Sequence, residues 1–300
     1  MHARSLAAVF AVALAILVDA GGDGAGAKPA TGPRTGDSVG TVTGLMPGAL
    51  TTAIRGRIPI IISAPHGGMV RVPGSRDRAS GVTVRDVNTA EIALLVSQRL
   101  TERLGGKPYV VIAQFSRKDA DANRARGEAC ETDAARREYD AYHATLRAFV
   151  DECRATGQPA LLVDLHGQVR APEAAVRGTR DGKSLSALRA RAGDEAIIGP
   201  KSLFGRLKAA GIPIVPDPDA PRGPDEANAP LGLERYFNGG YITDHYGAHN
   251  ADGIDALQIE LGAMRSDAPW KTARTLGDAI ADFANDYLLA KRKSGESDKP

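Results

Sequence analysis

The chain alternates between short apolar runs of strand length and longer stretches in which apolar side chains recur every three or four residues. The short runs are rich in Ile, Val and Leu, which is typical of strands buried on both faces of a sheet. The longer stretches have the spacing of amphipathic helices. Alternation of this kind predicts an α/β domain with a mostly parallel, mixed sheet between helices. We predict strands at residues 60–62, 109–115, 160–163 and 255–261, and helices at residues 88–104, 132–156, 200–210 and 270–291.

The stretch between the helix at residues 200–210 and the last strand is less regular. Residues 212–215 read Ile-Pro-Ile-Val. Because Pro213 cannot donate a ladder hydrogen bond, this segment is predicted to be an edge strand or an extended loop. Residues 216–240 contain several Pro, Asp and Gly residues and are predicted to form a long loop, a kind of segment that often has a functional role.

Two histidines stand at the carboxyl ends of predicted strands, each followed by glycine. His66 follows the strand at residues 60–62, and His166 follows the strand at residues 160–163. In open α/β sheets, ligand sites form at the carboxyl ends of the strands. Two histidines and a carboxylate around an open fourth position are typical of a hydrolytic zinc site. The sequence therefore predicts one zinc ion at this edge of the sheet, where it would activate a water molecule.

Further charged side chains are expected to converge on the same edge. Glu260 interrupts the apolar strand at residues 255–261, and Arg117 and Arg124 lie in the loop after the strand at residues 109–115. A carboxylate beside the metal would serve as general base, and the arginines would hold an anionic end of the substrate. Two alternatives stay open. Glu260 could belong to a buried structural ion pair, and the arginines could simply neutralise Asp119 and Asp121.

Six short motifs in this order resemble those of the N-formylglutamate amidohydrolase family, over roughly residues 58–265. They are residues 63–68 (Ser-Ala-Pro-His-Gly-Gly), 86–89 (Asp-Val-Asn-Thr), 117–124 (Arg-Lys-Asp-Ala-Asp-Ala-Asn-Arg), 164–167 (Asp-Leu-His-Gly), 240–243 (Gly-Tyr-Ile-Thr) and 258–261 (Gln-Ile-Glu-Leu). Each motif alone is weak, but six in order form a fairly specific set. The resemblance implies a three-layer α/β/α domain, phosphorylase/hydrolase-like and related to zinc carboxypeptidases and aspartoacylases. It also implies a metal-dependent amide hydrolase.

The resemblance implies that His66 and His166 are metal ligands. The zinc carboxypeptidases place a Glu three residues after the first ligand His, but here that position is Met69, which does not suit zinc. The third ligand must therefore come from further along the chain. Asp86, at the expected start of the next helix, is the preferred carboxylate, and Glu91 is the alternative. Asp86 could instead only cap the helix, since Asp is a favoured cap residue.

The resemblance also suggests roles for residues around the metal. It implies that Glu260 is the general base and that Asn123 and Arg124 bind a substrate carboxylate, with Arg117 as a further candidate for substrate binding. Tyr241 is a candidate donor to a developing oxyanion on family position alone. These roles remain expectations that depend on the residues meeting in one cleft.

Three further residues receive structural interpretations. Asp164, two residues before His166, is expected to face the opposite side of its strand and to have a structural or supporting role. Cys130 and Cys153 are expected to stay unpaired, because the helix predicted between them would hold their backbones roughly 34 Å apart, whereas a disulfide allows about 7 Å.

Composition and the N-terminal pattern restrict the class of protein. Lys and Arg number 38 against 36 Asp and Glu, a net charge of +2, which does not favour a nucleic-acid partner. A basic start, an apolar run at residues 6–18 and small residues after it are typical of a secretory signal peptide. We expect a periplasmic or secreted protein without stable membrane insertion after cleavage, the alternative being an uncleaved anchor. The predicted parts are a signal peptide at residues 1–27, a flexible linker at 28–50, a single hydrolase domain at 51–292 and a disordered tail at 293–300.

The function that these expectations favour is zinc-dependent hydrolysis of an amide bond in an N-acyl amino acid or a peptide-like, anionic substrate. Export fits badly with histidine degradation in the cytoplasm, where formylglutamate is made. The alternatives are an exported peptidoglycan or peptide carboxypeptidase-like amidase, and a non-catalytic binding module of the cell envelope on the same fold. A histidine phosphatase is disfavoured because Pro65 stands where that class has an Arg directly before the His.

Overall fold

The computed structural model describes residues 50–219 and 231–289, and within them seven strands form one mixed sheet. The strands are β1 (Thr51–Ile54), β2 (Ile60–Ala64), β3 (Tyr109–Ala113), β4 (Leu161–Gly167), β5 (Ala175–Gly178), β6 (Ile214–Val215) and β7 (Asp255–Leu261). Their order across the sheet is β1-β3-β2-β4-β7-β5-β6. The four strands β3, β2, β4 and β7 run parallel, whereas β1 is antiparallel to β3 and β5 is antiparallel to β7.

Helices cover both faces of this sheet and give the domain three layers. The helices are α1 (Thr89–Leu104), α2 (Asp133–Ala155), α3 (Ser186–Ala192), α4 (Glu195–Ile198), α5 (Leu203–Ala209), α6 (Tyr241–Tyr246), α7 (Met264–Asp267) and α8 (Pro269–Tyr287). One hydrophobic core lies between the sheet and a face formed by α1, α5 and α8. A second core lies between the other face of the sheet, α2 and α6.

The alternation of side chains along β4 decides which face carries the chemistry. Val163 and Leu165 point into the core under α1 and α8, while Leu162 points into the core under α2. Successive side chains of a strand alternate between faces, so Asp164 and His166 lie on the same face as Leu162. The polar end of β4 is therefore on the α2 side of the sheet.

The predicted α/β fold with a mostly parallel, mixed sheet is confirmed. The predicted strand at residues 255–261 matches β7, and the segment around Pro213 forms β6 at the edge of the sheet. Six of the described elements were not predicted, namely β1, β5, α3, α4, α6 and α7. Each is only four to seven residues long, too short for hydrophobic periodicity to show. Residues 216–219 and 231–240, the described parts of the predicted long loop, form no helix or strand.

The local sequence of helix α2 explains where this helix begins and which of its faces is buried. Thr132 caps its N-terminus by accepting a hydrogen bond from the Ala135 amide, the usual role of Thr at that position. Tyr142, Phe149 and other apolar side chains of one stripe are buried against the sheet. The predicted unpaired state of Cys130 and Cys153 is confirmed, because both are free thiols.

Several predictions concern parts of the chain that the structure does not describe. The expected signal peptide, almost all of the expected linker and the expected C-terminal tail lie outside the described residues. Among the described helices, none combines the length and the hydropathy required to cross a bilayer.

Candidate metal centre and cleft

Parallel strands bring the candidate residues to one edge of the sheet. β2, β4 and β7 are neighbours, and their carboxyl ends lie on the same side. In the register between β4 and β7, His166 stands opposite Glu260 and Asp164 stands opposite Gln258. Side chains that face each other across adjacent strands share one face of the sheet. The end of β4 and the end of β7 therefore supply one polar surface.

Three buried side chains converge at this edge, as their positions in the sequence predicted. His66 Nδ1 lies 3.1 Å from His166 Nδ1. The Asp86 Oδ2 atom lies 3.2 Å from His66 Nδ1 and 3.3 Å from His166 Nδ1. The three atoms form a nearly equilateral triangle. All three residues are buried, so this triangle sits in a protected part of the protein.

The triangle fits a tetrahedral metal ion. Zinc binds His nitrogen and carboxylate oxygen at about 2.0–2.1 Å, so two ligand atoms of a tetrahedral site lie roughly 3.3–3.4 Å apart. The observed separations of 3.1–3.3 Å are close to this spacing. Two imidazoles and one carboxylate also leave the fourth position of a tetrahedron open, as catalytic zinc sites do.

The structure brings Asp86, not Glu91, to the histidines. The Asp86 amide donates to the His66 carbonyl, and the Gly167 amide donates to Asp86 Oδ2. Asp86 does not cap α1, whose N-cap position is Asn88 without a side-chain cap bond. The Glu91 side chain is 55% exposed and pairs with Arg85. Within this structure Asp86 is therefore the carboxylate that is placed to bind a metal.

Each histidine holds a second buried carboxylate with its other ring nitrogen. His66 Nε2 lies 2.6 Å from Asp121 Oδ1, and His166 Nε2 lies 2.7 Å from Asp164 Oδ2. Such carboxylate partners fix the tautomer and the orientation of metal-binding imidazoles. This arrangement leaves both Nδ1 atoms to face Asp86. It is the pattern expected around a metal, and the sequence did not single out Asp121 for it.

The expected orientation of Asp164 was wrong. Side chains two residues apart on a strand point to the same face, so Asp164 and His166 lie side by side. Ser63 Oγ donates a hydrogen bond to Asp164 Oδ1 from the neighbouring strand β2. The spacing Asp-x-His on a predicted strand was itself the signal that could have found this contact.

For Asp86 and His166, burial and the neighbouring charges shift the pKa in opposite directions, and the neighbouring groups outweigh burial. Burial alone would raise the pKa of Asp86, but hydrogen bonds from His166 and His66 outweigh it and lower the pKa. For His166, burial would lower the pKa, yet the charge and the hydrogen bond of Asp164 raise it well above its usual value. Asp86 is therefore ionised and ready to bind a cation, and Asp164 attracts positive charge to the ring of His166.

Glu260 lies beside the triangle in a different environment. Burial, opposed by the positive field of His166 and reinforced by Asp86, raises the pKa of Glu260 to about 7. Gln258 Nε2 donates to Glu260 Oε1 over 2.8 Å and holds the carboxyl in place. A carboxyl group with a pKa near neutrality can both take up and release a proton, as general acid–base catalysis requires.

The loop after β3 carries the predicted substrate-binding residues to the same place. Arg117 lies between two carboxylates, 3.1 Å from Asp121 Oδ2 and 3.3 Å from Asp86 Oδ1. Arg124 is 40% exposed and 3.7 Å from Asp121 Oδ2. Asn123 Nδ2 lies 3.2 Å from the ring of His166. Arg117 is thus occupied by carboxylates of the centre, whereas Arg124 keeps more of its guanidinium available to a ligand.

Tyr241 begins α6 and lines the cleft. Its ring stacks on His245 with centroids 5.0 Å apart and meets His143 edge-on. Tyr241 therefore belongs to an aromatic cluster at the wall of the cleft.

These residues surround one cleft of about 810 Å³. Its lining includes the triangle of His66, Asp86 and His166, and Glu260. Its volume lies in the upper part of the usual range for small-molecule sites. The cleft therefore combines a candidate metal centre, a proton-carrying carboxyl and an exposed arginine.

The architecture is an α/β fold with a candidate metal centre at the carboxyl ends of its parallel strands. The model of the N-formylglutamate amidohydrolase family matches residues 128–264, a part of the chain that includes His166 and Glu260. The resemblance to that family is therefore confirmed over a part of the chain that contains three of the six motifs, and it supports a hydrolase that acts on amide bonds. A search of curated proteins finds no match.

One solved structure shows the same fold, and another is similar to it at a lower score. The N-formylglutamate amidohydrolase from Ralstonia eutropha JMP134 aligns with a TM-score of 0.52 and 15% identity, covering 79% of this chain and 99% of the other. A gene product of Agrobacterium tumefaciens aligns with a TM-score of 0.46 and 14% identity, covering 80% of this chain and 94% of the other. At this identity the first alignment shows a common fold.

Proposed function

We propose that this protein is a zinc-dependent hydrolase that cleaves an amide bond in an N-acyl amino acid or a peptide-like substrate with a carboxylate. The observation that carries the proposal is the triangle of two Nδ1 atoms and one carboxylate oxygen with edges of 3.1–3.3 Å, next to a Glu260 carboxyl whose pKa is raised to about 7. The similarity to amidohydrolases supports the choice of an amide over other bonds.

His66, Asp86 and His166 would hold the zinc ion, which supplies Lewis acidity and lowers the pKa of a water molecule. In the reaction, the water oxygen forms a bond to the amide carbon while Glu260 accepts its proton. The C–N bond then breaks, and Glu260 passes the proton to the departing nitrogen. Gln258 keeps Glu260 oriented through its hydrogen bond. The pKa of about 7 suits both halves of this transfer.

Arg124, with Asn123 beside it, is proposed to hold the substrate carboxylate. Arg117 is less suited to this role because Asp121 and Asp86 already occupy it. Replacement of Arg124 by Ala should lower kcat/KM most for substrates with a free carboxylate and little for the matching amides. Equal losses for acid and amide substrates would leave Arg124 with a structural role.

Mass spectrometry of products from a zinc-loaded sample mixed with N-acyl amino acids and short peptides tests the proposal. We expect hydrolysis of at least one N-acyl amino acid that stops when zinc is chelated and is absent from His166→Ala. Cleavage of peptides or cell-wall fragments alone would favour the carboxypeptidase-like alternative. Binding of these compounds without any cleavage would favour the non-catalytic envelope module.

We also propose that the protein acts outside the cytoplasm, in the periplasm or after secretion. The support is the apolar run at residues 6–18 between a basic start and small residues. Cleavage is expected between about residues 18 and 28. Sequencing the N-terminus of the exported protein checks this, and a chain that still begins at Met1 within the membrane would contradict it.

A further inference from the structure

Apolar side chains that water reaches gather around the mouth of the cleft. Nine large hydrophobic side chains are exposed among the described residues, and four of these line the cleft, namely Val82, Val84, Val169 and Tyr236. Single exposed hydrophobics are ordinary, but a cluster rimmed by polar groups marks a binding surface. We call these four residues the apolar rim.

One side of the apolar rim is a segment that forms neither helix nor strand. Val82 and Val84 are two residues apart in this segment, and both line the cleft. They are 52% and 71% exposed. The segment is fixed to the centre, since Arg78 donates to the Val82 carbonyl and Arg117 donates to the Val84 carbonyl. The two valines are therefore held at the cleft on well-anchored backbone.

A second side of the apolar rim is the loop that follows strand β4, the strand that carries His166. Val169 is 80% exposed although its loop is rigidly held. The neighbouring Gln168 donates to the carbonyls of Ala171 and Ala174 and accepts from the Ala171 amide. Arg265 holds the Gln168 carbonyl. Because these hydrogen bonds hold the loop in place, the exposure of Val169 does not result from a mobile loop.

The occupant must reach the centre and the apolar rim together. The backbone of Gly81, next to Val82, approaches the Arg124 guanidinium so closely that a Cβ there would lie 3.3 Å from it. The apolar rim is thus continuous with the residues proposed to hold the substrate. A formyl group carries no apolar chain and can bury almost no apolar surface against this rim. A longer acyl group on the same amide nitrogen can bury such surface.

We infer that the cleft selects N-acyl amino acids whose acyl group is an apolar chain of several carbons or an aromatic ring. This inference rests on the proposed function, because it assigns the substrate class of the same site. The apolar rim would remove the acyl chain from water while Arg124 holds the carboxylate. Each methylene that becomes fully buried would strengthen binding by at most about fourfold.

Calorimetry with the Glu260→Gln variant, with and without added zinc, tests the inference without turnover of the ligand. The ligands are N-formyl-, N-acetyl-, N-butanoyl- and N-octanoyl-glutamate. Affinity is expected to rise from formyl to octanoyl. Adding Val84→Ser and Val169→Ser to this variant should reduce the octanoyl-to-formyl affinity ratio by about threefold to tenfold. Adding Leu94→Ser, which removes an exposed apolar side chain away from the cleft, should leave the ratio unchanged.

The outcomes separate this inference from the proposed function. Equal affinities along the series, or the same ratio after both valine changes, would overturn the inference even if the parent protein hydrolyses amides. A rising series with no hydrolysis by the zinc-loaded parent would contradict the proposed function and support the apolar site. An equal decrease of the octanoyl-to-formyl affinity ratio in Leu94→Ser would show a general surface effect. That result would also overturn the inference.

Discussion

Each histidine of the candidate centre contacts two carboxylates, one with each ring nitrogen. His66 and His166 turn their Nδ1 atoms toward Asp86 and their Nε2 atoms toward Asp121 and Asp164. Buried carboxylates are costly unless they are paired or bind a cation. These three carboxylates around two imidazoles would be stabilised most by a cation bound between them. Asp121 and Asp164 would then help to determine the affinity for that cation.

Replacement of Asp164 by Asn should weaken zinc binding by about 10- to 100-fold, because loss of a carboxylate behind a ligand His lowers its basicity and frees its orientation. Titration against a competing chelator measures the change. Asp140→Asn is the matched control, because it alters an exposed ion pair between Asp140 of α2 and Arg126. It should leave the affinity for zinc unchanged. Equal affinities of Asp164→Asn and the parent would show that this contact does not orient His166.

Replacement of Glu260 by Gln should lower kcat by roughly 10²- to 10⁴-fold while zinc stays bound, because Gln keeps the shape but cannot carry a proton. Steady-state kinetics and metal analysis of the same sample measure both quantities. Glu102→Gln, at an exposed position on α1, should behave as the parent does. Turnover close to the parent rate in Glu260→Gln would remove this residue from the mechanism.

At the residue scale the sequence indicated the histidines of the candidate centre better than the carboxylates that contact them. The two histidines could be predicted because each ends a buried run and precedes glycine. Asp121 could not be distinguished from Asp119, since both lie in one polar loop. In the structure Asp119 binds Arg71 while Asp121 reaches His66. Only the path of the loop, set by contacts with distant segments, decides between them.

At the scale of elements, a buried ion pair ties the loop at residues 231–240 to strand β5. Glu234 accepts hydrogen bonds from Arg177 Nε, from the backbone and hydroxyl of Thr179, and from the Asp181 amide. Arg177 and Glu234 are both buried. This loop carries Tyr236 of the apolar rim to the cleft, so the pair holds part of the cleft wall in place.

Replacement of Glu234 by Gln should lower the free energy of unfolding by about 3–5 kcal/mol, because it leaves the charge of Arg177 buried without its counter-ion. Denaturant unfolding monitored by circular dichroism measures this. Glu173→Gln, at an exposed position, is the control and should change stability little. A loss of less than about 1 kcal/mol would mean that the Glu234 charge does not matter to the fold.

Elements with strong local signals could be predicted, whereas several short elements without such signals could not. The helix predicted at residues 132–156 forms as Asp133–Ala155, because Thr132 caps it and a long apolar stripe faces the sheet. The strand β5 and the helix α6 depend on tertiary neighbours. β5 pairs with β6 and β7, which are distant in sequence. Pairing of that kind leaves no periodic pattern in a four-residue segment.

At the scale of the whole molecule, Glu260 reduces the stability of the metal-free fold as the pH rises. Burial raises the pKa of Glu260 from 4.5 to about 7. Below pH 4.5 this carboxyl is protonated in the folded and unfolded chains alike, so it carries no penalty. As pH rises toward 7 the unfolded chain releases the proton first, and the folded state loses stability.

In the presence of a chelator, Glu260→Gln should therefore be more stable than the parent by about 3 kcal/mol at pH 8 and by less than about 1 kcal/mol at pH 5. Urea unfolding at the two pH values measures the difference. Glu102→Gln should show no such dependence on pH. A stability difference for Glu260→Gln that is the same at pH 5 and pH 8 would contradict the raised pKa.

The most direct test of the account is the metal content of the purified protein and of four variants. We expect one zinc ion per chain in the parent and in Glu91→Ala, and loss of stoichiometric zinc in His66→Ala, Asp86→Ala and His166→Ala, all measured by mass spectrometry of metals on folded protein. The Glu91 variant separates the two candidate carboxylates. Full zinc in the two histidine variants, or loss of zinc in Glu91→Ala with retention in Asp86→Ala, would contradict the metal centre described here.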